Sequence, residues 1–199
     1  MLRLSAAVLF ALLVFAAPGA QAFLDTILTA PKTLFERAIE ARSSGDIVKD
    51  NKIVLAVNKI MADLGTIKAS TEIYEQRLLV TGLFDDEALY EEFKTKTEAV
   101  SGVKKLYWHV RYMSEADQEK NEDEMLDWGD ALLLDTKVGL NLVGTKGVAD
   151  VNLRVAADAF SGIYILGRSR SEEEHKKAVQ VARDTEGVSR VYDYIEVRP

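Results

Sequence analysis

One fixed offset carries this chain onto itself without a gap. Adding 85 takes Asp50 to Asp135, Lys52 to Lys137, Ile53 to Val138 and Leu55 to Leu140. The same shift takes Leu78 to Ile163, Val80 to Ile165, Gly82 to Gly167 and Glu87 to Glu172. It also takes Gly102-Val103 to Gly187-Val188, Leu106 to Val191 and Val110 to Ile195. A repeat of this period is one supersecondary unit used twice, so the chain must fold as paired modules and any function belongs to the pair.

The first copy reads as α-β-β-α-β. Ser43-Ser44-Gly45-Asp46 supplies capping residues before an apolar stripe at Ile53, Val57, Ile60, Met61 and Leu64, and Gly65 ends that helix. Strands are expected from Ile67 to Tyr74, from Arg77 to Leu83 and from Val103 to Tyr112. Asp85 is expected to cap a second helix carrying Leu89, Phe93, Lys96 or Thr97, and Val100. In the second copy Ala131, Leu134, Val138 and Leu142 form the stripe of the first helix, and strands are expected over Val148–Val155 and Gly162–Leu166. Ser171 and Glu174 have the spacing of a capping box opening a helix with Ala178, Val181 and Ala182 inward; Gly187-Val188 leads into the last strand. The fold class is therefore α+β: two modules, each a three-stranded mixed sheet with two helices on one face.

The predicted organisation is a signal peptide over 1–22, an N-terminal amphipathic segment over 23–45, a first module over 46–112, an acidic linker or helix extension over 113–130 and a second module over 131–199. The leader has Arg3, an apolar run from Leu4 to Ala17, a Pro18-Gly19 break and Ala20-Gln21-Ala22 before an expected cut at Phe23. The chain has no cysteine, which excludes disulfides and a lipid on a cysteine. An exported chain of this kind points to the periplasm. In the segment 23–45, Pro31, Leu34, Phe35, Ala38 and Ala41 mark a short amphipathic helix that packs on a module or meets a membrane with Phe23, Leu24, Ile27 and Leu28.

Charge is uneven. The formal net charge is −7, and the stretch 113–134 alone carries eight acids against Lys120. The modules are near neutral, so the basic face that nucleic acid requires is absent. The acidic run lacks the spacing and turn glycine of a calcium loop and reads as a solvated connector.

The Asp-x-Lys-Ile/Val helix start, the apolar strand ending in Gly82 or Gly167, and the Gly-Val pairs at 102–103 and 187–188 together resemble the BON domain family. The resemblance covers 46–112 and 130–199. It implies a tandem-BON protein of the bacterial envelope, without enzymatic activity or cofactor, that binds phospholipid or envelope components. Many tandem-BON proteins carry a lipidated cysteine; this chain resembles the soluble kind.

Two candidate surfaces follow. Two helices on one face of each sheet leave the other face bare, with Leu79, Tyr107, His109, Tyr164, Leu166, Tyr192 and Tyr194 on it, and the other module is the expected cover. The first helix of the second module carries more apolar surface than its core needs: Leu132, Leu133, Leu140 and Val143 point away from the inward stripe, with Trp128 one turn earlier and Lys137 among them. Such a stripe suits a membrane headgroup boundary or burial against the first module or the 23–45 segment. The resemblance to the BON family implies lipid contact in this same region. Lys137, Lys146, Arg154, Arg168, Arg170, Lys176 and Lys177 would add attraction to anionic headgroups, although Lys176 and Lys177 are placed to pair with Glu172 and Glu173.

No catalytic motif is visible. His109 and His175 fall at non-equivalent places in the two copies, and neither a phosphate loop nor a nucleophile with its base can be assembled; no metal or small-molecule substrate is expected. The reading is a periplasmic binding protein for anionic phospholipid or envelope proteins that supports envelope integrity. The alternative is a stress-protective chaperone that holds unfolded polypeptide on the same stripe.

Overall fold

The computed structural model describes residues 40–199. The expected signal peptide, and the expected amphipathic helix up to residue 39, lie outside the described residues.

The first module runs α1 (Ser44–Asp63), β1 (Ala69–Tyr74), β2 (Arg77–Phe84), α2 (Glu87–Glu98) and β3 (Lys105–Tyr112). A connector follows, with α3 (Glu115–Lys120) and one 3₁₀ turn at Glu122–Glu124. The second module runs α4 (Trp128–Gly144), a 3₁₀ turn at Asp150–Asn152, β4 (Leu153–Ala157), β5 (Gly162–Ser169), α5 (Glu172–Asp184) and β6 (Arg190–Val197). Each sheet has the order first, second, third strand, antiparallel then parallel.

Local chemistry sets the helix ends. Ser43 Oγ accepts the Asp46 N–H at the start of α1, and Gly65 follows the helix with φ +68°. α4 buries Ala131, Leu134, Val138 and Leu142, the stripe the periodicity predicts. Three expectations are corrected. Asp86, not Asp85, caps α2 by accepting the Leu89 N–H, while Asp85 pairs with Lys68. The acids from Glu122 do not extend α4, because the side chain of Asp127 caps that helix at Trp128. The strand expected from Val148 begins only at Leu153, since residues 150–152 turn as a 3₁₀ helix.

The Ser171 hydroxyl accepts the Glu174 N–H, but Glu174 does not reach back to Ser171. Its carboxylate accepts from the Ala149 N–H at 2.6 Å and the Arg170 N–H at 2.9 Å, tying α5 to the loop before β4. Burial works against that carboxylate, yet these donors and the Arg170 guanidinium hold its pKa below the usual range.

The repeated glycines have steric causes. A Cβ at Gly82 would run into the Lys68 carbonyl, and one at Gly167 into the Asn152 carbonyl, because the first strand of each sheet crosses tightly there. Gly102 and Gly187 have φ of +89° and +96°, the left-handed region that turns the chain into β3 and β6.

One departure from the repeat matters. β2 and β5, and β3 and β6, keep the 85-residue offset in their pairing, but the hairpins do not. Ala69 faces Gly82, whereas Leu153, not Arg154, faces Gly167. The first hairpin closes on Glu75 and Gln76, both at positive φ (52° and 64°), and the second on a longer loop in which Asp158 accepts from the Phe160 and Gly162 N–H groups. A slip of one residue exchanges the two faces of a strand. It sends Leu153, Val155 and Ala157 into the helix-covered core and leaves Ala156 on the opposite face.

The described residues form three apolar clusters. Each module has a core between its sheet and its helices, the first around Ile53, Val57, Phe84 and Phe93, the second around Val138, Leu142, Ile163 and Ile165. The third lies between the two sheets: Tyr74, Leu79, Ala156, Tyr164 and Leu166, with Tyr107, Tyr192 and Tyr194 packed against them.

Candidate functional site

The residues expected on bare sheet faces all lie in the layer between the two sheets. Tyr107 and Tyr194 stack with ring centroids 4.1 Å apart, and Tyr164 and Tyr192 stack at 4.5 Å. His109 lies 4.4 Å from the Tyr164 ring and 5.7 Å from the Tyr192 ring, and its Nε2 is 2.7 Å from the Tyr194 hydroxyl. Burial lowers the pKa of His109, helped by Arg111 and opposed by Asp158. Tyr164 donates to Asp158 Oδ2 at 2.7 Å, and burial with that bond raises its pKa. Under the repeat, Tyr107–Tyr194 becomes Tyr192–His109, so an approximate twofold axis passes through this layer.

Around one edge of the layer sits a polar collar that sequence reading did not find. Tyr74 donates its hydroxyl to Asn152 Oδ1 at 3.0 Å, and the same oxygen accepts the Ala41 N–H at 2.7 Å. The guanidinium groups of Arg42, Arg77 and Arg154 lie 4.9, 5.9 and 5.8 Å from the Tyr74 ring centroid. Burial, with Glu40 and Glu75 nearby, pushes the Tyr74 hydroxyl up to about 12. Arg77 crosses between modules, donating to the Gly167 carbonyl at 2.6 Å and the Tyr194 carbonyl at 3.0 Å. Glu72, on β1, faces Arg154 and Asp135; burial raises its carboxyl to about 7, with Arg154 opposing and Asp135 adding. Asp135 is raised by burial to about 6. Three of its residues had a signal in the sequence: Asp135 and Asp50, which pairs with Arg42, as repeated positions, and Arg154 as a basic candidate. The rest depends on the hairpin register, which the repeat does not carry.

The outer face of α4 is the second surface. Trp128, Leu132 and Leu133 are 48, 45 and 67% exposed, and Leu140 is half-buried. Lys137 lies there too, donating to the Glu186 carbonyl at 3.0 Å and pairing with its carboxylate at 3.1 Å. The other basic residues of the module are largely engaged. Arg168 donates to the carbonyls of Arg198 and Pro199, Arg170 pairs with Glu174, and Arg154 belongs to the inter-module collar. The expected Lys177 pairing with Glu173 is replaced by a bond to the Lys146 carbonyl, and Glu172 pairs with His175.

A third feature adjoins Trp128. A cleft of about 780 Å³ opens between the modules, walled by Ile67 and Leu83 of the first and by Met125, Leu126 and Trp128. Glu119, Glu122 and Asp127 line it as well. Among the described residues no group of three His, Asp or Glu side chains could hold a metal ion, and no helix is long and apolar enough to cross a membrane.

A three-stranded mixed sheet with its helices on one face defines a class of small α+β module. Residues 132–199 match the model of the BON domain, so the second module is a BON domain. Two solved structures align with the chain. One is of CdsD, a structural protein of the type III secretion system of Chlamydia trachomatis, 12% identical over 74% of this chain and 93% of that one, with a TM-score of 0.31. The other is the C-terminal domain of CdsD, 14% identical over 74% of this chain and 98% of that one, with a TM-score of 0.28. No curated protein matches the chain.

Proposed function

We propose that the chain is a non-enzymatic binding protein of the bacterial periplasm, a tandem-BON protein whose first module is a diverged copy of the second. It contacts anionic phospholipid peripherally through the outer face of α4 and thereby supports envelope integrity. The observation that carries this reading is the pair of neighbouring leucines, Leu132 and Leu133, left in solvent on a helix whose opposite stripe already fills the core. Burying what remains exposed of each in a headgroup boundary is favourable by roughly 1–2 kcal/mol before ordering costs. Because Lys137, Arg168 and Arg170 are engaged, apolar insertion outweighs attraction to headgroups, each free cation near such a surface being worth about 1 kcal/mol.

The test is co-flotation of the chain from Phe23 with neutral and phosphatidylglycerol-containing vesicles at two salt concentrations. Binding to the anionic vesicles that survives moderate salt and disappears in Leu132→Asp/Leu133→Asp supports the reading. A folded protein that floats with neither vesicle overturns it.

A further inference from the structure

The acids of the connector are exposed to solvent, but the connector does not run free. Its end packs on the second module, with the Leu126 N–H donating to the Ala159 carbonyl at 2.7 Å, and its apolar residues become one wall of the cleft beside Trp128. The facing wall comes from the first module: Leu83, and Ile67 at 79% exposure, isolated just before β1. An apolar floor of this size spanning two modules matches the 300–1,000 Å³ of ordinary ligand sites. Its charge is one-sided. Glu119, Glu122 and Asp127 stand in its lining, and the one base among the described lining residues, Lys68, is tied to Asp85.

We propose that this cleft is a docking site for an amphipathic protein segment bearing lysine or arginine beside its apolar residues. Charge complementarity selects that occupant. The apolar side chains of the segment enter between Ile67 and Trp128 while its cations meet Glu119, Glu122 and Asp127. An anionic lipid would place its headgroup against the same carboxylates and is disfavoured. The site is therefore distinct from the Leu132/Leu133 face, although Trp128 borders both, and a bound segment would touch both modules at once.

The experiment titrates the exported protein with a synthetic Leu/Lys amphipathic peptide of about 18 residues, and with its Leu/Glu counterpart, following Trp128 emission with Trp128→Phe as the blank for Trp108. The Leu/Lys peptide binds and shifts the Trp128 emission to the blue, and the Leu/Glu peptide does not. Glu119→Lys/Glu122→Lys and, separately, Ile67→Asp weaken binding at least about tenfold, each tenfold being about 1.4 kcal/mol. All three positions are exposed, so the variants keep the parent melting temperature. Leu132→Asp/Leu133→Asp, the variant that removes vesicle binding, leaves peptide binding intact. Equal binding of the two peptides, unchanged affinity in the Glu119/Glu122 variant, or a Trp128 shift produced by anionic vesicles but by neither peptide would overturn the proposal.

Discussion

Tyr107 stacks on Tyr194 across the module boundary at 4.1 Å, and the repeat relates this pair to Tyr192 and His109 at 5.7 Å on the other side of an approximate twofold axis. Each sheet has helices on one face only, so this aromatic layer is the second face of both modules. Units this small bury limited core on their own, and the layer makes their stabilities interdependent. Tyr194→Ala removes one ring that serves both halves of the layer, because Tyr194 also meets His109, and costs about 3–5 kcal/mol. Calorimetry is expected to show one unfolding transition in the parent and a lower-melting one in the variant. Two separate transitions in the parent would show that the modules do not share this layer energetically.

Asp50 and Asp135 occupy the same place in the two copies but have different surroundings. Asp50 is buried and accepts from the Glu75 N–H, the Gln76 N–H and the Gln76 side-chain amide, while Arg42 pairs with it at 3.0 Å. It holds a two-residue turn whose non-glycine residues both have positive φ. Asp135 is raised to about 6, chiefly by burial. Asp50→Ala is expected to cost about 3–5 kcal/mol in urea unfolding, while Asp135→Ala at pH 7.5 is neutral or stabilising. Equal losses in the two variants would contradict the difference in their surroundings.

Gly82 and Gly167 test a steric claim with little else attached. An added methyl meets a neighbouring backbone carbonyl in both places, and backbone yields less readily than a side-chain tip. Gly82→Ala and Gly167→Ala are each expected to destabilise by about 1–3 kcal/mol or more. Gly139→Ala on α4, where nothing stands near the new methyl, is the control and should gain stability from helix propensity.

The fold was legible because its information is periodic. Stripes such as Ala131, Leu134, Val138 and Leu142 repeat at helical spacing and are the residues buried. The bare sheet faces follow from counting helices against sheets, which places Tyr107, His109, Tyr164 and Tyr192 in one layer. The collar around Tyr74 was not legible, because an offset that aligns the two copies does not give the pairing register of either hairpin. A two-residue turn in one copy and a longer loop in the other shift β4 by one residue, an effect of turn chemistry invisible to the alignment of the copies. The cleft was hidden for a related reason: the acids read as solvated and are exposed, but Leu126 after them anchors the end of the run to the second module.

Glu72 makes the inter-module joint sensitive to pH. Its carboxyl is raised from an ordinary 4.5 to about 7 by burial, with Arg154 of β4 pulling it down and Asp135 of α4 pushing it up. A folded-state pKa above the unfolded value means that the folded state binds the proton more tightly, so stability falls as pH rises between the two. The contribution is fully present below about pH 4.5 and is lost as pH climbs through about 7. Glu72→Gln mimics the protonated form at every pH. It is expected to flatten the fall in stability across that window and to exceed the parent at pH 8 by about 1–3 kcal/mol, each pKa unit being worth about 1.4 kcal/mol at most. Arg154→Met removes the opposing charge and should steepen the fall. Urea unfolding from pH 4 to 8 in the three proteins decides the matter: parallel curves for parent and Glu72→Gln would mean that this carboxyl ionises as freely in the folded chain as in the unfolded one.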